Sequence, residues 1–594
     1  MKRFSYRILL AACLLTVAIG SNAQTNTVEF GKNRLQYKNF KWRYYQTQNF
    51  NTYFNQNGLD LGKYVAQIAE QELPDIEKFI DYGLRRRVNI VIYDNYGEMK
   101  QSNIGIGLEW QNTGGVTNLV NNKMIVYFNG DHADLRRQVR EGIARVIMEN
   151  MLFGDDIGEF AGNAVLLNLP QWFTDGFVAY AAQNWNAAND QELKELFLTG
   201  RYQTFNQLAL EHPALAGHAF WFYVENKYGK DAVSYLLYIS RIDRSLKRSF
   251  EQVLHQSFKN SLQDFMTFNY RRYQTDNRGR RQTTRGTIVT TLETDRSDFY
   301  RFHPNPHNKD YAVVEFKKGI YRVLLYQGYY KPTQLLKSGV RQLESQENPS
   351  YPKIAWDPRG THVAVIYEKA GKLELMIYDE LARIKTKMDL PKGLESINSF
   401  SYLPTNNNTL LLSAIKNGHS HVFTYNISNF SVRQITKGAY DDMDPSYVGF
   451  PKKNGILFSS NRPSPYAPEG DTVLPHHRYN VFLISNWEDP EAVQISQLTT
   501  LSDGDARLPM QYNDTHFTFV SDKNGISNRY AGYFFSEGAG TDSLYYIGPD
   551  ILHNPDKADL DSALTAYGAP QPDSVKVIAI TKDSSYVFPI TNYS

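Results

Sequence analysis

Residues 456–462 read Ile-Leu-Phe-Ser-Ser-Asn-Arg, and residues 516–525 read His-Phe-Thr-Phe-Val-Ser-Asp-Lys-Asn-Gly. Each is a short β-forming run that stops at a Ser-Asn or Ser-Asp turn. Three earlier runs share this texture: Tyr311-Ala-Val-Val-Glu-Phe316, His362-Val-Ala-Val-Ile-Tyr367 and Leu410-Leu-Leu-Ser-Ala414. All five follow turn residues, namely Asn305-Pro306, Asp357-Pro-Arg-Gly360, Pro404-Thr-Asn406, Pro451-Lys-Lys-Asn-Gly455 and Asn513-Asp514. A further strand comes next in every unit, at Tyr321 to Tyr326, Leu373 to Tyr378, His421 to Tyr425, Tyr479 to Ile484 and Arg529 to Phe534. The spacing is close to the roughly 40–50 residues of a propeller blade, and sheets of this size bury their faces only by stacking. The pattern predicts an all-β propeller over 291–594 with about five four-stranded blades. Tyr586 to Thr591 reads as the closing strand of the fifth unit, after an exposed insertion at about 536–574. The ring therefore either closes on five blades or is incomplete.

Upstream of about residue 275 the apolar period changes from two to between three and four. Leu61, Tyr64, Val65, Ile68, Ala69 and Leu73 form one stripe, and Leu135, Val139, Ile143, Val146, Ile147 and Met151 form another, each the buried face of a helix. Phe50 to Phe54, Val88 to Tyr93 and Lys123 to Phe128 read as strands. An α+β domain over 24–272, richer in helix in its second half, follows from this. Arg271, Arg272, Arg278, Arg280, Arg281 and Arg285 lie among Asn, Gln, Thr and Gly, and 273–290 reads as a linker. No aromatic platform is interleaved with these cations, so a solvated hinge is favoured over nucleic-acid binding.

Composition narrows the partners. In 594 residues, 64 Lys and Arg stand against 62 Asp and Glu, so no net field selects nucleic acid or an anionic membrane. Aromatic residues make up 14%, including 41 Tyr and 33 Phe, which excludes disorder over most of the length. Residues 1–23 have the form of a secretory signal: Lys2, Arg3 and Arg7, an apolar run from Ile8 to Ile19, and Ser21-Asn22-Ala23 before Gln24. Leu10-Ala11-Ala12-Cys13 partly fits a lipoprotein signal, but the apolar run continues past it. Cys13 is the only cysteine, so cleavage after Ala23 removes disulfides and thiolate chemistry together. No later window resembles a membrane span.

The repeats resemble the WD40-like blades of the TolB propeller family. Ser459-Ser-Asn-Arg462, Ser521-Asp-Lys-Asn-Gly525, and the Gln-Ile-Thr and Gln-Leu-Thr segments at 434–436 and 497–499 leading to Asp444-Pro445 and Leu508-Pro509 carry that resemblance. Residues from about 40 to 272 are similar to the peptidase MA-like (gluzincin) group of zinc metallopeptidases. That likeness lies in Trp42, Phe50 and Tyr53, the helix at the His-Glu-x-x-His position, and Pro170-Gln-Trp-Phe-Thr-Asp-Gly-Phe-Val-Ala-Tyr180. The gluzincin chemistry needs two His one helical turn apart, a Glu between them and a carboxylate from the next helix.

Here the first motif is Arg140-Glu141-Gly142-Ile143-Ala144. The resemblance places Arg140 and Ala144 at the His positions, Glu141 at the base and Asp175 at the third ligand. It therefore implies a degenerate site without metal or other cofactor, in which Arg140, Glu141 and Asp175 form an ion-pair cluster. No catalytic residue is expected. Glu141, Trp172 and Asp175 mark the old cleft as a candidate binding surface, with Pro463 to His477 and Phe535 to Ser574 as exposed loops. His303-Pro-Asn-Pro-His307, His419-Ser-His421 and His476-His477 read as turn or surface histidines. Gly105-Ile-Gly107 and Gly114-Gly115 lack a phosphate-loop context, and no nucleophile elbow is present.

The expectation is an exported envelope protein, periplasmic or at the outer membrane and cell surface. It would be a non-catalytic scaffold that binds protein or peptide partners and no nucleic acid. The alternatives are an active zinc metallopeptidase drawing on Glu141, Glu149, Asp175 and a distant His132 or His218, and a carbohydrate-binding propeller.

Overall fold

A computed structural model describes residues 36–101, 123–154, 167, 169–281, 297–328, 331–339, 350–451, 453–468 and 478–593. The signal-like segment, both glycine pairs near 105 and 114, and His476-His477 lie outside the described residues.

The N-terminal part opens with β1 (Trp42–Gln46) and β2 (Phe50–Asn55), then α1 (Leu59–Ile80), β3 (Val88–Tyr93), the single turn α2 (Tyr96–Met99) and β4 (Lys123–Tyr127). β1 pairs antiparallel with β2, whereas β2, β3 and β4 pair in parallel, so α1 serves as the crossover that a parallel pair requires. The α1 stripe predicted from Leu61 to Leu73 is buried against this sheet. Helix α3 (His132–Phe153) starts where the Asp131 carboxylate accepts from the Ala133 amide at 2.9 Å. Among the described residues seven helices follow: α4 (Gln171–Ala182), α5 (Ala187–Leu198), α6 (Phe205–Glu211), α7 (Pro213–Tyr228), α8 (Lys230–Asp243), α9 (Leu246–Leu254) and α10 (Phe258–Asn277).

α4 and α7 cross on bare backbone. A methyl group on Gly176 would stand 2.2 Å from the Gly217 Cα, and one on Gly217 would stand 1.8 Å from the Trp172 carbonyl oxygen. This close approach lets Trp221 Nε1 donate to the Phe173 carbonyl at 3.0 Å inside the core.

The expected boundary at 272 is passed by α10, which carries the chain to Asn277. Arg272 pairs with Asp190 of α5, and Lys194 of α5 reaches Asp276 at 2.7 Å. The polar composition that reads as linker is here the charged flank of a packed helix. Arg280 then donates to the Asn524 carbonyl at 2.9 Å, and the Arg281 amide donates to Asn592 at 2.9 Å, so this stretch is tied to the end of the chain.

The C-terminal half is a series of antiparallel sheets in the arrangement of propeller blades, four of them four-stranded and the last five-stranded. The first holds β5 (Asp298–Pro304), β6 (Tyr311–Lys317), β7 (Ile320–Tyr326) and β8 (Thr333–Gly339). The second holds β9 (Lys353–Trp356), β10 (His362–Lys369), β11 (Lys372–Asp379) and β12 (Ile384–Asp389). The third holds β13 (Ser396–Leu403), β14 (Asn406–Lys416), β15 (His419–Asn426) and β16 (Val432–Gln434). The fourth holds β17 (Asp442–Phe450), β18 (Lys453–Ser460), β19 (Asn480–Ser485) and β20 (Gln494–Gln497). The fifth holds β21 (Ala506–Gln511), β22 (His516–Ser521), the long β23 (Asn528–Ile547), β24 (Asp550–His553) and β25 (Ser574–Pro589).

Every run picked out from the sequence is a second strand of its sheet. The first strands are the inner ones, and β5, β9, β13, β17 and β21 stand side by side in that order. Apolar clusters fill the spaces between first and second, second and third, third and fourth, and fourth and fifth sheets. Among the described residues no apolar cluster joins the fifth sheet to the first.

The expected exposed loop at 536–574 is instead ordered β-structure. β23 and β25 run on past the blade as a paired ribbon capped by β24, with α11 (Lys557–Tyr567) beside it. The ribbon lies against the fourth sheet, where Lys453 meets Asp583 at 3.1 Å and Gln494 donates to the Thr581 carbonyl at 2.7 Å. Gly, Ser and Asp in this stretch hid the alternation, because two strands paired to each other need no apolar face to satisfy their backbones.

The α4–α7 crossing is directly testable. Gly217→Ala improves helix propensity by about 1 kcal/mol but forces a steric overlap that costs more, so a net loss of about 2 kcal/mol is expected as a lower urea midpoint.

Candidate functional site

The residues that the sequence assigns to the degenerate peptidase site sit in separate surroundings. Arg140 pairs with the buried Glu72 of α1 and donates from Nε to the Ala182 carbonyl at 2.7 Å and from Nη2 to Ala181 at 3.1 Å. It thus closes the C-terminus of α4, where unpaired carbonyls favour a cation. Glu141 pairs with Arg137 at 2.5 Å, one turn back along α3. Ala144 is buried in the core. Asp175 is held by Arg145 at 2.9 Å, with both side chains largely withdrawn from water. Trp172 is a core ring, edge-on to Phe173, Phe205 and Phe220. The expected cluster of Arg140, Glu141 and Asp175 is therefore replaced by three different pairs, because Glu72 and Arg145 compete for the partners and sequence spacing does not register them.

Glu149 lies one helical turn beyond Arg145. Burial pushes its carboxyl up to about 7, against the pull of Arg145 and with the push of Asp175. His218 is buried between Trp185 and Tyr180, and burial lowers its imidazole to about 4. No group of three or more His, Asp or Glu among the described residues is arranged to hold a metal ion.

A dense polar constellation among the described residues lies elsewhere, between the helical domain and the propeller. His132, the first residue of α3, donates its amide to Asp441 Oδ2 at 2.8 Å and meets Asp441 Oδ1 through Nδ1 at 2.6 Å. The Tyr479 hydroxyl reaches Asp131 at 3.1 Å and Asp441 at 3.3 Å. Asn461 clasps Asp441 from the other side, donating from Nδ2 at 3.2 Å and accepting the Asp441 amide at 2.8 Å. The neighbouring Asp442 takes both Arg462 contacts at 2.8 Å and the Ser460 hydroxyl at 2.7 Å. The quoted Ser-Ser-Asn-Arg stretch is therefore the clamp that holds two adjacent carboxylates, one of which faces its own sheet and one the helical domain.

Withdrawal from water and the Asp441 charge push Asp131 up to about 6, while Arg507 opposes them. A second acidic group lies along the same junction. Lys38 pairs with Glu98 and lies 3.4 Å from Asp94. Asn95 donates to the Glu395 carbonyl at 3.3 Å, and the Glu395 side chain accepts the Asn417 amide at 3.0 Å. Burial and the Asp94 charge raise Glu98 and Glu395 to about 7 each. Glycines allow the two parts to approach closely: a methyl group on Gly97 would stand 2.4 Å from Glu368 Oε2, and one on Gly130 would stand 2.3 Å from the Asn398 side chain. Ile415 of the third sheet completes the core of the helical domain.

No single stretch announces this junction. The Asp-Asp pair at 441–442 was the one available signal, since adjacent acids inside a β-repeat need partners from outside their own strand.

No family model matches the chain, and no curated protein matches it. Among solved structures, TolB from Acinetobacter baumannii is similar at 15% identity, over 40% of this chain and 49% of that one, with a TM-score of 0.26. A puromycin-hydrolyzing peptidase of Mycobacterium tuberculosis is similar at 10% identity, over 40% and 35%, with a TM-score of 0.29. The β-propeller domain of the Trilobed protease from Pyrococcus furiosus is similar at 9% identity, over 40% and 82%, with a TM-score of 0.25. The chain thus spans about half of the Acinetobacter protein and about a third of the mycobacterial one. The blade reading stands on the sheet order and the cores between sheets.

The raised carboxyls give the junction a definite pH response. A carboxyl whose folded value lies above its unfolded one adds stability below the unfolded value and loses it as pH rises through the folded value. Glu395→Gln is therefore expected to leave the thermal midpoint nearly unchanged at about pH 5 and to raise it relative to wild type at about pH 8, as read by calorimetry. Equal differences at the two pH values would remove Glu395 from this role.

Proposed function

We propose that this chain is an exported protein-binding scaffold, with a helical domain that is a non-catalytic relative of the peptidase MA-like group and a TolB-like propeller that carries the docking surface. The observation that supports it best is the free face of the fifth sheet. In register across β22, β23 and β25 lie His516, Tyr533 and Tyr586, with Phe588 and Phe535 in the adjoining rows of the same face. The rings touch one another, His516 to Tyr533 at 5.2 Å and Tyr586 to Phe588 at 6.2 Å. Tyr586 is 68% exposed, Tyr533 43% and Phe535 41%.

The opposite face of that sheet is also apolar, with Phe517, Phe519 and Tyr530 buried against the fourth sheet. An antiparallel sheet with one wet face alternates apolar and polar residues. This one is apolar on both sides, as the middle blades are, and a contiguous exposed aromatic surface of this kind marks a protein contact. The matching partner presents an apolar, weakly charged face of its own.

In the helical domain, Arg145 supports the non-catalytic reading. Its guanidinium sits on Asp175, the carboxylate that the resemblance assigns to the metal, and a fixed cation there opposes a second one. Among the described residues no helix is long and apolar enough to cross a membrane. Export is proposed from the signal-like residues 1–23.

A photo-crosslinking amino acid at Tyr586, in cells that make the full chain, is expected to give a discrete protein adduct that disappears with Tyr533→Ser. Loss of one such anchor weakens binding by about thirtyfold or more. No adduct, or an adduct indifferent to Tyr533→Ser, would refute the docking face. Elemental analysis of the purified protein is expected to show zinc well below one per chain, and stoichiometric zinc lost with Glu141→Gln would restore the peptidase reading.

A further inference from the structure

Helix α8 is apolar on two sides. Val233, Leu236, Leu237 and Ile239 are buried, the first three in the core of the helical domain. A helix that packs on one side ordinarily turns polar residues outward. Here Tyr235, Tyr238 and Ile242, spaced by three and four positions, form a second stripe on the outer side, and each leaves about half of its surface in water. Among the described residues neither tyrosine makes a side-chain hydrogen bond or touches another ring.

The stripe ends at a concentration of positive charge. Residues 241–248 hold Arg241, Arg244, Lys247 and Arg248 against the single Asp243, although 64 Lys and Arg nearly balance 62 Asp and Glu over the whole chain. All four cations are exposed, and among the described residues none of their side chains has a hydrogen bond, an ion pair or a ring contact. Arg241 stands where the C-terminus of α8 favours a cation. Lys247 and Arg248 have no such use, because they occupy the first turn of α9, where no acid offsets them and the helix dipole opposes them. The fold gains nothing from their charge. Asp231 shares the outer side of α8 in its first turn, about 15 Å of helix away from Arg241, beyond strong attraction in physiological salt.

We infer that the outer side of α8 and the turn into α9 dock on the headgroup region of an anionic lipid bilayer. A tyrosine ring is apolar in its body and polar at its tip, which suits the boundary between headgroups and acyl chains, and Ile242 adds a purely apolar contact. Exposed guanidinium and ammonium groups at the end of such a row meet lipid phosphates without leaving water. The shape agrees. A row of side chains standing out from a helix is convex, so a protein partner would have to supply a matching groove, whereas a fluid bilayer deforms around it. Three side chains reach only the edge of the acyl region, so the helix lies on the surface and does not enter it. A short apolar row and a cluster of cations add their effects where neither holds a protein to a membrane alone. This surface does not depend on the aromatic face of the fifth sheet.

The test floats the mature protein, freed of residues 1–23, with vesicles of phosphatidylcholine alone and with vesicles of phosphatidylcholine and phosphatidylglycerol in equal parts. The protein is expected to rise with the mixed vesicles and not with the neutral ones, and to be released as salt is raised. Lys247→Gln together with Arg248→Gln is expected to weaken binding about twentyfold, and Tyr235→Ser together with Tyr238→Ser about tenfold. These positions are exposed, and an unchanged thermal midpoint shows that each variant keeps its fold. Tyr533→Ser in the fifth sheet is expected to leave vesicle binding as it is, which separates this surface from the docking face proposed above. Flotation with neither vesicle, equal flotation with both, or binding indifferent to either pair of substitutions would overturn the assignment. Salt-sensitive binding to polyglutamate without flotation would also overturn it, in favour of an acidic protein.

Discussion

A four-stranded sheet has two faces and can bury neither by itself. Nearly everything in the C-terminal half of this chain follows from that constraint. Val363 and Val365 of β10 pack toward the first sheet while Ala364 and Ile366 of the same strand pack toward the third, so a single strand feeds two cores. The price is a requirement for a neighbour on each side. Where the described sheets end, the requirement is unmet, and the aromatic row of the fifth sheet is what remains.

The helical domain meets the propeller through buried charge as much as through apolar contact. His132 and Asp441 exchange two short contacts where α3 begins, so the start of the helix that carries Arg140, Glu141 and Arg145 is anchored by a carboxylate from the fourth sheet. Asp94, Glu98, Asp131 and Glu395 lie along the same junction, with Lys38 and Arg507 opposing their charge. Such a junction trades stability for definition, because misplaced carboxylates in a dry interface are costly and only one registry satisfies them. The arginines of α3 tell a similar story on a smaller scale. Arg140 closes the end of α4 and Arg145 holds Asp175, and both uses are those of a fixed structural cation.

How much of this was legible in the sequence can be seen strand by strand. The second strands at Tyr311, His362, Leu410, Ile456 and His516 were readable because they are continuous apolar runs bounded by turn residues, and β3 and the apolar stripes of α1 and α3 because burial on one face leaves a period. The ribbon of β23 and β25 was not, since the outgoing strand runs through Gly538, Gly540, Thr541, Asp542 and Ser543, which interrupt the apolar alternation. The continuation of α10 through Arg271 and Arg272 was hidden by a composition typical of linkers, although Arg272 pairs with Asp190 and lies beside the ring of Tyr273.

Local periodicity and turn chemistry alone determined that an α+β part precedes a series of β-repeats, because those signals act over a few residues and survive in any reading of the chain. Partnership was decided only by the tertiary structure. Glu72 rather than Glu141 takes Arg140, Arg145 takes Asp175, and His132 meets an aspartate 309 positions away. Ion pairs and buried hydrogen bonds depend on distances of a few ångströms between elements remote in sequence, and a one-dimensional pattern carries no record of which side chain arrives first.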